Sequence, residues 1–152
     1  MGLHLLSVLL SAPSPAHETQ HSTDEKVRQA QALLARRYHE RSLTVERLAE
    51  EVHVSYSSLR QAFKARTGLS PKQYQLQIRL QKAQDFLVNT PKPVGEIAEL
   101  LGFDSAFHFS KQFKDRVGVA PQAWRKRLAE RPRPKREIRK SVRRGSYDAP
   151  PA

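Results

Sequence analysis

Between residues 24 and 128 apolar side chains recur every three or four positions, and polar, Gly or Pro breaks cut that pattern into helical lengths. Val27, Ala30, Leu33, Leu34 and Tyr38 make one stripe, which predicts a helix from Asp24, a good N-cap, to about Tyr38. Thr44 precedes a short helix over Glu46–Val52 with Leu48, Ala49 and Val52 inward and its acids toward the positive end of the dipole. This helix should end at His53-Val54. Ser55 caps a third helix whose inner face is Leu59, Ala62 and Phe63 and which stops at Gly68. Ser70-Pro71 opens a longer one reaching Asn89, with Tyr74, Ile78, Leu80, Ala83, Phe86 and Leu87 in register, about 28 Å at 1.5 Å per residue. Past Thr90-Pro91-Lys92-Pro93 comes Ile97-Ala-Glu-Leu-Leu101-Gly102-Phe103. Asp104 then serves as the expected cap of a helix carrying Phe109, Phe113 and Val117, followed by Gly118, Pro121 and Trp124. No strand is needed.

The order of these signals repeats. Ala49 and Ala98 correspond at an offset of 49, whereas Leu59 and Phe109, Phe63 and Phe113, Gly68 and Gly118, Pro71 and Pro121, and Tyr74 and Trp124 correspond at 50. One residue inserted in the second turn accounts for the change. Each copy is a short helix, a tight turn and a capped second helix, with Gly102 in the second turn where the chain reverses sharply. This is the helix-turn-helix plan: the first helix buttresses the second, whose outer face enters the DNA major groove, where every base pair presents a distinct donor and acceptor pattern. The fold expected is therefore all-α, two helix-turn-helix subdomains joined by a long linker helix, about seven helices in all.

With Leu59 and Phe63 inward, the outer face of the first reader is Ser57, Arg60, Gln61 and Lys64; with Phe109 and Phe113 inward, that of the second is Ala106, Phe107, Ser110, Lys111 and Lys114. Arg suits guanine, Gln suits adenine, and Ala106 and Phe107 suit thymine methyls. The expected base contacts are Ser57, Arg60, Gln61, Ala106, Phe107, Ser110 and Lys111. Lys64, Arg79 and Lys114 are expected on phosphates, and His108, between Phe107 and Phe109, on a phosphate or in packing. The phenylalanines at helical spacing and Trp124 read as core.

Charge strengthens the picture. The net charge is +12, of which residues 24–130 hold +7 and the last 22 residues +6. A basic folded part with a basic tail fits a polyanion partner, since counterion release from phosphates drives association. The segment 129–152 reads as a basic disordered tail and 1–23 as a flexible apolar segment plus linker. Leu3–Leu10 is too short to span a membrane and lacks a basic n-region; it also fits the end of an upstream domain. The absence of cysteine leaves neither disulfide nor thiolate site and is permissive of a reducing cytoplasm.

The run Ile97-Ala-Glu-Leu-Leu-Gly-Phe103, then Phe109-Ser-Lys-Gln-Phe-Lys114 and Gly118-Val-Ala-Pro121, resembles the second-unit signature of the AraC/XylS family of bacterial transcription regulators. Leu48-Ala49, Ser55, Leu59, Phe63-Lys64, Thr67-Gly-Leu-Ser-Pro71, Tyr74, Arg79-Leu80, Ala83 and Leu87 are similar to its first unit and linker, so the resemblance covers about 24–128. It implies a seven-helix domain whose third and sixth helices read DNA, normally fused to a sensing or dimerisation domain, for which residues 1–23 offer no room. The family often has Arg where Lys111 stands, and Ser57 is small where some members place a larger reader, so base preference does not transfer.

His17-Glu-Thr-Gln-His21 has the letters of a zinc-protease motif, but a polar stretch after Pro13-Ser-Pro15 lacks the packed helix and third ligand that chemistry needs. No phosphate loop, nucleophile elbow or carboxylate pair supports an enzyme. The expectation is a sequence-specific regulator, an activator touching RNA polymerase while bound to double-stranded DNA as a monomer, cytoplasmic and nucleoid-associated, with no cofactor, metal or membrane. The rivals are a non-specific nucleic-acid binder driven by charge and the tail, and an interaction module that has lost DNA readout.

Overall fold

The computed structural model describes residues 15–131, with side chains from Ser22 onward. They form seven helices in the order α1 (Pro15–Arg37), α2 (Val45–Glu51), α3 (Tyr56–Thr67), α4 (Pro71–Asn89), α5 (Val94–Leu100), α6 (Ala106–Val117) and α7 (Pro121–Ala129), with no strand among the described residues. The apolar segment Leu3–Leu10 and most of the basic tail lie outside them.

The apolar stripes close into two cores. Val27, Ala30 and Leu34 of α1 meet Leu48, Ala49 and Val52 around α2 and Leu59 and Phe63 of α3. Leu80, Ala83 and Leu87 of α4 meet Ile97, Ala98, Leu101, Phe103, Phe109 and Phe113. The linker helix serves both, because Tyr74 and Ile78 pack on the first core and its C-terminal half belongs to the second. Phe63, Phe109 and Phe113 are fully buried, as their spacing requires. Edge contacts of Phe63 with Tyr74 and of Phe113 with Trp124 repeat one aromatic joint in both units.

Capping sets the helix starts. The hydroxyls of Thr44, Ser55 and Ser70 accept from the backbone N–H of Arg47, Ser58 and Gln73, and Ser70 with Gln73 completes a capping box ahead of Pro71. Gly68 and Gly118 end α3 and α6 in the left-handed conformation.

Two boundaries differ from the sequence reading. α1 begins at Pro15, so Asp24 lies inside a helix and pairs with Arg66 of α3 at 3.2 Å instead of capping. Pro is tolerated in a first turn, and Ala16, Glu18 and Gln20 are good helix formers that extend a helix nucleated by the buried stripe after them. α6 is capped by Ser105, whose hydroxyl accepts from His108 N–H at 3.0 Å, not by Asp104. Ser105 stands 50 residues after the cap Ser55, so Asp104 is the inserted residue of the second turn.

Candidate nucleic-acid interface

Each candidate reader helix, α3 and α6, is held by a buried stripe and presents the opposite face outward. On α3, Ser57, Arg60, Gln61 and Lys64 are exposed; on α6, Ala106, Phe107, His108, Lys111 and Lys114 are exposed, and Ser110 is half-buried. Phe107 is 80% exposed, a large cost for an apolar ring, and it stacks on no other aromatic ring among the described residues. The cations of both faces are unpaired: among the described residues no acid lies in ion-pair reach of Arg60, Lys64, Lys111 or Lys114, while Arg28, Arg37, Arg66 and Lys92 all have carboxylate partners. Unpaired cations on one face remain available to phosphates and base edges.

Between the readers lies a cleft of about 620 Å³. α3 lines it with Tyr56 and Arg60, α6 with His108, the start of α4 with Lys72 and Gln75, and the α1–α2 loop with Arg41. Four cations plus His108 face Glu46 and Asp104, so the floor is basic. Glu46 titrates below the usual carboxylate range, chiefly because its carboxylate accepts from its own backbone N–H, then from Thr44, with Lys72 adding attraction. His108 also sets its ring edge-on to Phe103, 6.0 Å between centroids, joining packing to an exposed position.

Arg79 occupies a different place from the phosphate role expected of it. Its Nε donates to Tyr38 O at 2.6 Å and its Nη2 to Glu40 O at 3.3 Å, and its guanidinium carbon lies 5.6 Å from the Phe103 ring centre. Burial lowers its pKa, an effect opposed by Asp104 and reinforced by Arg41. A guanidinium half-withdrawn from water with its donors on backbone carbonyls is a structural clamp.

Tyr56, Lys72, Gln75 and Arg41 border the cleft without having been singled out from sequence. Tyr56 sits three residues before Leu59, in line with the inner stripe, yet is 41% exposed at the first position of the helix. Each of α3 and α6 thus carries an exposed aromatic in its first turn, Tyr56 or Phe107. Lys72 could have been noticed as a basic residue immediately after the Ser70-Pro71 cap.

The metalloprotease-like letters His17–His21 fall on α1 rather than on a linker, so the two histidines share a helix, with side chains outside the described ones. Among the described residues no group of three His, Cys, Asp or Glu side chains could hold a metal, and no helix is long and apolar enough to cross a membrane.

Comparison with known families decides the wider relationship. The profile of a family described as "Helix-turn-helix domain" matches residues 48–127, from the middle of α2 through most of α7. The chain belongs to the AraC/XylS-type helix-turn-helix family. It is 33% identical over 126 residues to the Msm operon regulatory protein of Streptococcus mutans, covering 82% of this chain and 45% of that protein. It is 41% identical over 83 residues to the transcriptional activator RhaR of Pectobacterium carotovorum, covering 55% of this chain and 29% of that one. The chain therefore spans less than half the length of these relatives. Among solved structures, the C-terminal domain of AraT, a response regulator from Geobacillus stearothermophilus, superposes with a TM-score of 0.66 at 34% identity over 67% of this chain and 84% of that one. The DNA-binding domain of AdpA, solved with a target DNA, gives 0.67 at 28% identity over 72% and 98%. This AraC-type family consists of DNA-binding transcription regulators, not enzymes.

Proposed function

We propose that this chain is the DNA-reading part of a sequence-specific transcription activator whose helices α3 and α6 enter two successive major-groove segments of double-stranded DNA. The observation that carries the reading is the pairing of two capped helices with outward, unpaired Arg, Gln and Lys side chains on either side of one basic cleft. Arg60, Gln61 and Ser57 would read bases from α3, and Lys111, Ser110, Ala106 and Phe107 from α6; Lys64, Lys114, His108 and Lys72 would take phosphates. Two readers about one helical turn of DNA apart, roughly 34 Å, would let a single copy of the chain bind both half-sites. The names of relatives such as RhaR support activation, and hence contact with RNA polymerase on DNA. The AdpA domain with its target DNA supports a duplex as ligand.

Selecting bound duplexes from a random pool at near-physiological salt tests this. A site with two half-sites about a turn apart, bound far more tightly than a scrambled duplex, is expected. Arg60→Ala and Lys111→Ala should each weaken the cognate complex by about 1–3 kcal/mol and leave the scramble nearly unchanged. Equal losses on both duplexes would make those residues phosphate contacts.

The net charge of +12 favours a second reading, non-specific binding led by the basic C-terminal segment. Truncation at Arg131 separates the two. A specific reader keeps its specificity ratio while its salt dependence flattens, whereas a charge-driven binder loses most of its affinity.

A further inference from the structure

The two units are joined twice, once through α4 and once through space. The loop Tyr38–Arg41, which leaves α1 and belongs by sequence to the first unit, lies against the turn of the second. Arg79 and Gln75, from the N-terminal half of α4, both donate to Tyr38 O, and Arg79 reaches Glu40 O as well. Arg41 Nη2 donates to Phe103 O at 2.5 Å, and Tyr38 packs on the second core. Arg37 holds the loop from behind, bonding both carboxylate oxygens of Glu40 at 2.7 and 2.9 Å and Glu51 of α2 at 2.7 Å.

Gly102 is where the loop touches down. A Cβ there would stand 2.0 Å from His39 O and 2.8 Å from His39 C. The turn alone does not demand this glycine. The equivalent turn residue of the first unit is His53, which carries a side chain at φ 58, close to the φ of 77 at Gly102. What distinguishes the second turn is the carbonyl of the first unit pressed against it.

We infer that Arg79, Arg41 and Gly102 are positioning residues: they clamp the α1–α2 loop to the second turn, lock the two reader helices in one relative orientation, and thereby set which spacing of half-sites the protein accepts. This rests on the two-site reading for its effect on DNA, but the rigidity itself is measurable without DNA. A hinge at α4 alone could follow a half-site moved by one base pair, a rotation of about 35° and a rise of about 3.4 Å. A doubly fixed pair could not.

Arg79→Lys keeps the charge and length but gives up the planar fork that spans two carbonyls. Arg41→Ala removes the other bond and leaves α4 untouched. The chain has no cysteine, so Glu50→Cys with Glu99→Cys, exposed and equivalent positions of α2 and α5, places one spin label on each unit. Pulsed electron resonance on the full chain should give a narrow inter-label distance distribution that broadens in both variants. On duplexes with the half-site spacing changed by one base pair, the unaltered chain should lose at least about tenfold in affinity, the worth of one base contact, and the variants less than about threefold. Thermal melts should show the variants folded. A distribution already broad before substitution, or one that keeps its width in both variants, overturns the clamp. Broadening with an unchanged spacing profile overturns its role in site choice. If the distribution broadens as expected and no duplex is preferred at any spacing, the clamp stands as a structural device, its role in site choice is overturned, and the DNA-reading proposal fails by itself.

Discussion

Replacing Gly102 by Ala adds a single carbon, and the structure says what it meets. At φ 77 any side chain incurs the left-handed cost of about 1–2 kcal/mol. The new Cβ would also sit 2.0 Å from a backbone oxygen, inside the 3.0 Å that real Cβ atoms respect, so loop and turn must part by about 1 Å. Backbone cannot rotate aside as a flexible side chain does, and overpacking of this kind costs about 1–3 kcal/mol more. The expected total is about 2–5 kcal/mol, a large share of the 5–15 kcal/mol typical of a domain. Gly118→Ala is the control, since φ is 88 there but no atom lies within 4 Å, leaving the conformational cost alone. Urea titration followed by far-UV circular dichroism measures both. With m near 1–3 kcal/mol/M for small proteins, the Gly102→Ala midpoint should fall by at least about 0.7 M and clearly below that of Gly118→Ala. Equal destabilisation of the two, within about 0.5 kcal/mol, would refute the close approach as the reason for this glycine.

Other expectations follow from single residues. His53→Gly removes a left-handed side chain in the turn that lacks an inter-unit contact, and should raise stability by about 0.5–1 kcal/mol in the same titration. Phe63→Ala empties the centre of the first core and should cost about 3–5 kcal/mol by denaturant midpoint. Phe107→Ala should leave stability within about 0.5 kcal/mol because the ring is 80% exposed, yet lower the affinity of the selected duplex in an anisotropy titration. Glu40 titrates below its ordinary value of 4.5, first because Arg37 bonds its carboxylate. Its contribution is therefore complete above that value and disappears as pH falls from about 5 through the lowered pKa. Melting temperatures measured from pH 7 to 3.5 should decline less steeply in Glu40→Gln.

What sequence could reveal here divides along a physical line. Periodicity reports which side chains leave water, so Leu59 with Phe63 and Phe109 with Phe113 disclosed both cores, helices α3 and α6 and their outward faces. Caps were legible where an hydroxyl precedes a stripe, as at Ser55 and Ser70. The cap of α6 was legible as well, but only through the repeat: the offset of 50 that relates α3 to α6 also relates Ser55 to Ser105, one residue past Asp104. The start of α1 was hidden because the letters from Pro15 to Thr23 form no apolar stripe, and a helix turn without such a stripe has the composition of a linker.

Arg79 shows the deeper limit. From spacing it was a basic residue on a helix beside two DNA readers, which is also how a phosphate contact would look. Its actual targets, Tyr38 O and Glu40 O, are backbone carbonyls that every residue carries, so no letter of the sequence marks them. A trace survives only by comparison between the two copies of the motif. Equivalent turn positions hold His53 in one and Gly102 in the other at nearly the same backbone angle, so the smaller residue answers to something outside the turn. In a repeated fold, a position where one copy tolerates a side chain and the other is reduced to glycine marks a contact that only one copy makes. Here that contact is the carbonyl of His39, brought from the first unit to the second.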